Sequence, residues 1–291
     1  KAAGAWKRVL ALDPKNGRAL RTLRASYVSA SDWVGLEQLY GEANDWDGLA
    51  EVLGNAAEKA TDPALKVDLS FRAAAVYENN LKQPHRAFRN YERALATDPK
   101  NDRAARALLP IYEREEKWSR IPALSEVILA NLAGGGEGTR AERLAILERL
   151  RKLALERLND PQAALRWAIQ AFEIDPEDAG TRATLFATAE KLPAGKSDAW
   201  GQVTQALTAR LGAGVGTAET RWLRAQLASI AADRSGQTDA AVTQFRAMLE
   251  ADPKDADAAA GLDRLLRGAG RHEELRALYA HRIEHADGDA D

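Results

Sequence analysis

Apolar and small residues recur along this chain at steps of three and four, the spacing that places side chains on one face of a helix. Ala87, Tyr91 and Ala94 show it, as do Ala164, Ala168 and Ala171, then Ala241, Phe245 and Met248, and near the start Ala2, Trp6 and Val9. Other stripes lie between them, such as Leu20, Leu23 and Tyr27 followed by Leu36, Leu39 and Tyr40. No stretch sustains the two-residue alternation of a strand. The pattern predicts about sixteen helices, over 1–12, 15–30, 32–42, 45–60, 62–80, 83–97, 100–116, 118–133, 138–158, 160–174, 177–192, 196–211, 217–234, 237–251, 254–268 and 271–286. Asp32, Asp62 and Asp160 stand where helix caps are needed. Pro14, Pro63, Pro99, Pro161, Pro176 and Pro253 fall where the chain enters a helix, in or near a first turn that needs no amide donor. Pro110 interrupts a helical stretch and predicts a kink. The glycine-rich stretches 134–138 and 212–216 read as loops between helices.

An Asp-Pro pair followed one residue later by Asn or Asp punctuates the chain, at Asp13-Pro14, Asp98-Pro99, Asp175-Pro176 and Asp252-Pro253. The last two intervals between pairs are equal and the first is slightly longer, a near-constant period that marks an array. A second marker, Trp33, Trp118, Trp200 or His272, follows each pair at the same distance, save for a slightly longer one at Trp200. Long repeats are thus expected at about 15–99, 100–176, 177–253 and, in part, 254–291, each complete one holding two helical hairpins within a single continuous array. The stretches opening at Trp33 and Trp46, WVGLEQLY and WDGLAEVL, read as a local tandem duplication. Residue 1 is not Met, so the chain is expected to be cut from something longer and to open inside a repeat.

The segment FRAAAVYENNLKQPHRAFRNYERALATDP, from Phe71 to Pro99, resembles the tetratricopeptide repeat (TPR), a hairpin of about 34 residues. Ala73, Ala74 and Tyr77 match its first helix and Ala87, Tyr91, Ala94 and Pro99 its second. The array is also similar in style to long bacterial, myxobacterium-like repeat arrays. The resemblance implies an all-α fold, a right-handed α-solenoid, in which the first helix of each hairpin lines a concave face that holds a partner. Carried onto the matching stretches, the lining positions fall on Arg18 and Arg21, then Asp68, Phe71 and Asn79, then Arg103, Arg106 and Arg114. Farther along they fall on Glu148 and Lys152, on Trp222, and on Arg264 with Arg267. Arginine dominates the set, which suits an acidic segment or a C-terminal carboxylate. Ala25 and Pro110 stand where the Asn-rich carboxylate clamp of chaperone-binding relatives needs Asn. Arg18 and Arg21 precede Arg103 and Arg106 by the same interval that separates their Asp-Pro markers, so the four are expected to form one cationic row.

Composition adds limits. Lys and Arg number 41 against 43 Asp and Glu, and the net charge of −2 argues against a general nucleic-acid binder, helical-repeat RNA binding included. Hydrophobic residues at 45% exclude wholesale disorder. With no Cys there is neither a disulfide nor a thiol nucleophile. No apolar run reaches the ~18 residues of a membrane helix, and the location stays open, with the cytoplasm favoured over the periplasm. His281-Arg282-Ile283-Glu284-His285 fits H-x-x-E-H, but a catalytic zinc needs a third protein ligand. Gly212-Ala213-Gly214-Val215-Gly216 lacks the strand that a phosphate-cradling loop follows. Pairs such as Glu113 with Glu116 read as a solvated face. Trp33, Trp46, Trp118 and Trp200 recur in register as packing residues, Trp6 as a residue packed on a missing helix, and Trp222 as a contact residue. The expected function is a non-enzymatic scaffold for protein–protein contacts without a cofactor. The alternative is a recruiting or regulatory arm of a larger enzyme, for example a signalling kinase.

Overall fold

The computed structural model describes residues 2–13, 16–193 and 198–286. Among the described residues there are sixteen α-helices and no strand, and the chain divides into two compact units, Lys1–Gly136 and Glu137–Asp291. The first unit holds α1 (Ala2–Leu12), α2 (Gly17–Ser29), α3 (Trp33–Glu42), α4 (Trp46–Lys59), α5 (Pro63–Ala75), α6 (Pro84–Thr97), α7 (Asp102–Arg114) and α8 (Ile121–Leu132). A π turn over Val76–Asn80 extends α5, and a 3-10 turn over Trp118–Arg120 leads into α8. The second unit holds α9 (Arg140–Leu153), extended by a π turn over Ala154–Leu158, then α10 (Pro161–Ile174), α11 (Ala179–Ala189) and α12 (Ala199–Gly212). It ends with α13 (Thr217–Asp233), α14 (Thr238–Ala251), α15 (Ala256–Gly268) and α16 (His272–Ala286). Each unit is a stack of helix hairpins.

Short polar signals set the helix ends. The third residue after each Asp of the Asp-Pro pairs is the cap of the next helix. Asn16, Asn101, Asp178 and Asp255 accept from the amides of Ala19, Ala104, Thr181 and Ala258 at 3.0, 2.9, 2.7 and 3.0 Å. Asp98, Asp175 and Asp252 in turn close the helices before them. Pro99, Pro176 and Pro253 therefore sit in the connection ahead of the cap, while Pro63, Pro84 and Pro161 occupy the first helical turn. Pro14 lies outside the described residues. The duplicated Trp33 and Trp46 stretches share one cap: Asp32 accepts from Gly35 N at 2.9 Å and Asp45 from Gly48 N at 3.0 Å. A Cβ on Gly48 would stand 2.4 Å from the Asp45 carboxylate, so a larger residue there requires that side chain to shift.

Packing follows the small residues. Ala87, Ala94, Ala164 and Ala241 are completely buried, so neighbouring helices approach closely at each. Ala171 departs from expectation: it is half-buried, and Phe172 beside it takes the core position. Pro110 lies inside α7, which continues on both sides of it, with the ring on the exposed side.

Helices of each unit alternate between two layers, and polar pairs between every second helix show it. Arg72 of α5 donates to Glu37 of α3 at 2.8 Å, whereas Arg86 and Arg93 of α6 reach Asp47 and Glu58 of α4, both at 2.9 Å. One cleft is lined by α1 and α3 residues over Tyr27, and another by α2 and α4 residues. Thus α1, α3, α5 and α7 share one layer and α2, α4 and α6 the other. In the second unit Gln162 of α10 meets Gln202 of α12 at 3.0 Å, and Arg264 of α15 approaches Asp233 of α13 at 3.9 Å. The first period, from Asp13 to Asp98, contains five helices, α2 to α6, and departs from the expected pair of hairpins. The added helix is the Trp46 copy of the duplication.

Candidate functional site

In the first unit, a groove of about 390 Å³ opens on the layer of odd-numbered helices, between α3, α5 and α7. Its walls carry Glu37, Asp68, Arg72, Asn79, Asn80 and Arg103, and its floor is apolar, with Trp46, Phe71 and Val76. Phe71 is held from below by Tyr91, with ring centroids 5.9 Å apart. The Tyr91 hydroxyl donates to Glu78 at 2.7 Å, and burial, then Glu78, pushes its pKa above the usual phenol range. The Arg103 guanidinium lies over the Phe71 ring at 4.1 Å. Arg72 is fully occupied in comparison: it donates to Asp68 at 2.7 Å and to Glu37 at 2.8 Å, which raises its pKa. Arg103 forms no ion pair among the described residues, so its charge is available in the groove.

The groove brings together Asp68, Phe71, Asn79 and Arg103 of the expected lining set. Phe71 is mostly buried, so it is a floor and an arginine platform and offers little open surface. Arg106 and Arg114 lie outside the groove; Arg106 is exposed and bonded to Asp102 at 2.8 Å, and Arg114 is exposed at the end of α7. Arg18 and Arg21 are on α2, in the opposite layer, so the row of four arginines does not form. The cause is the fifth helix of the first period, which reverses the layer that follows each Asp-Pro marker. Glu37, Trp46, Arg72 and Asn80 complete the groove; the interval from Glu37 to Arg72, close to one hairpin in length, is the sequence signal that pairs these two.

The remaining expected contacts are in the second unit. Arg151 holds Glu148 with two bonds, at 2.7 and 2.8 Å, and Lys152 adds a third at 3.3 Å, which together lower the Glu148 pKa. Trp222 is half-buried against Phe172 and Phe186, with Arg182 stacked on it at 3.8 Å, so it packs as the other tryptophans do. Trp200 stacks on Phe186 at 6.3 Å, and Trp167 of α10 is buried. Arg264 and Arg267 are exposed, and Arg267 donates to Asp263 at 2.8 Å and also bonds Tyr279. His281 and His285 stack with centroids 4.3 Å apart, and among the described residues no group of three metal-binding side chains forms. No described helix is long and apolar enough to cross a membrane.

No protein-family model matches this chain, and no curated protein is similar to it. Among solved structures it is similar to PilF of Pseudomonas aeruginosa at 16% identity, over 84% of this chain and 99% of that one, with a TM-score of 0.28. It is similar to a chain of Naa15/Naa10 bound to HypK-THB at 16% identity and a TM-score of 0.31, over all of this chain and 51% of that one. A third similarity, at 14% identity and a TM-score of 0.19, is to the human IFIT1 dimer with m7Gppp-AAAA, over 95% of this chain and 66% of that one. The chain thus spans about half of the Naa15/Naa10 chain that it matches.

Proposed function

We propose that this chain is a non-enzymatic interaction scaffold whose first unit receives a partner peptide or protein segment in the groove between α3, α5 and α7. The observation that carries the reading is Arg103, whose guanidinium lies over Phe71 at 4.1 Å and has no carboxylate partner among the described residues. A guanidinium held by an aromatic face has already lost much of its rotamer freedom, so less entropy is lost when it pairs with an incoming carboxylate. The neighbouring Asn79 and Asn80 are exposed and carry both donors and acceptors for a peptide backbone. An acidic residue in the bound segment is the feature this arrangement selects.

Random dodecapeptides displayed on phage and selected on the full chain test this. The selected peptides are expected to share an Asp or Glu and to bind Arg103→Glu about tenfold more weakly, a difference of about 1.4 kcal/mol. Selected peptides that bind both chains equally would place the partner elsewhere.

A further inference from the structure

The layer change of α2 separates Arg18 and Arg21 from the groove and leaves them on a surface of their own. Helices α1 and α2 carry Lys7, Arg8, Arg18, Arg21 and Arg24 and not one carboxylate. The asymmetry extends to the sequence: positions 1–31 contain Lys1, Lys7, Arg8, Lys15, Arg18, Arg21 and Arg24 against Asp13 alone. Of the chain's 41 cations and 43 carboxylates, removing these 7 and 1 leaves 34 against 42 elsewhere. The net charge of −2 therefore conceals a strongly basic end on an acidic remainder.

Arg18, Arg21 and Arg24 follow one another at intervals of three along α2, within about one third of its circumference and over about 9 Å of its length. All three are exposed, and none forms an ion pair among the described residues, in contrast with Arg72, Arg86 and Arg93 of the same unit. The residues between and beyond them on the solvent side, Thr22, Ala25, Ser26 and Ser29, are small and exposed and do not obstruct approach. Arg18 lies over the Trp6 ring of α1 at 5.8 Å, which ties one end of the stripe to the neighbouring helix. At the other end Arg24 borders the cleft between α2 and α4, beside Asp45, Glu51 and Lys59.

We infer that this stripe on α2 is a second docking surface, and that its occupant is a short acidic polypeptide segment. Carboxylates on alternate residues of an extended segment are about 7 Å apart on one side, which matches the reach of the stripe. A long polyanion such as RNA extends past the stripe and meets Asp45 and Glu51 of the adjoining cleft. Trp6 is half-buried with Arg18 over its ring, which leaves a base less of it to stack on. The inference is independent of the groove in the opposite layer.

The test uses the full chain and a fluorescein-labelled hexaglutamate peptide, followed by anisotropy. Saturable binding that weakens at least tenfold between about 50 and about 200 mM salt is expected. Measured in an Arg103→Glu background, which removes the groove's own affinity for carboxylates, the added triple change Arg18→Glu, Arg21→Glu, Arg24→Glu should weaken binding at least tenfold, and Arg276→Glu, at an exposed arginine of α16, should change it less than twofold. The corresponding triple Gln variant, which introduces no new charge, should also weaken binding, with circular dichroism confirming that both remain helical. Unchanged affinity in the triple Gln variant overturns the inference. So does tighter, Arg18-dependent binding of a six-nucleotide RNA, which would make the surface a phosphate reader.

Discussion

Asp255 does two jobs at once. It caps α15 through the Ala258 amide at 3.0 Å and receives Arg221 from α13 through two bonds, at 2.6 and 2.9 Å, with its side chain only 2% exposed. The Arg221 guanidinium holds the Asp255 carboxyl below the usual range. Glu219 is similarly lowered by Arg210, and Asp263 by Tyr279. A carboxyl whose folded-state pKa lies below its unfolded value contributes stability that is fully present above the unfolded value, about 4, and lost as pH falls through the folded one. Stability should thus hold from neutral pH down to about pH 4 and decline below it. Asp255→Asn keeps a capping side chain but loses the charge, and should cost about 1–2 kcal/mol at pH 7. Urea melts at pH 7 and at about pH 3 check this, since the cost should shrink in acid. Equal costs at both values would assign the loss to packing. The Asp-Pro spacing marked a helix start beside Asp255 but placed it slightly early, at 254, so the capping role of Asp255 came from the structure; its partner on α13 was hidden too, because nothing local in Arg221 distinguishes it from the other arginines.

At the scale of elements, the periodicity in steps of three and four located the helices because burial of one face is what keeps such short helices folded. It did not determine how firmly each small residue is enclosed. Ala94 and Ala171 are equivalent by the repeat period, yet the first is completely buried and the second only half. Ala94→Leu should therefore cost about 1–3 kcal/mol, and Ala171→Leu less than about 1 kcal/mol. Denaturant midpoints of the two variants with a common slope check the difference. Of the candidate groove, the sequence displayed Phe71 and Arg103 through the repeat resemblance. It hid their separation from Arg18 and Arg21, because the Trp46 helix looks like any other copy and its effect is on the layer, which no local signal reports.

Across the whole molecule, order is built from neighbours. Arg72 with Glu37, Arg93 with Glu58, and Arg221 with Asp255 and Asp257 all join positions about one hairpin apart in the chain. The division into Lys1–Gly136 and Glu137–Asp291 coincides with Gly134, Gly135, Gly136, Glu137 and Gly138, all exposed. Exposed tips of small residues are preferred sites of proteolytic nicking. A glutamate-specific protease at low ratio should first cut after Glu137 and give two helical fragments, identified by mass spectrometry. First cleavage inside α5 or α13 would show that the units are less compact than this division implies. The five-helix period has an evolutionary and practical corollary. In an array whose helices alternate sides, one inserted helix acts like a frameshift: every residue on the far side keeps its neighbours in sequence but exchanges the face it shows. Lengthening such an array without moving its binding surface requires helices to be added in even numbers, and adding one is a single-step route to a new face.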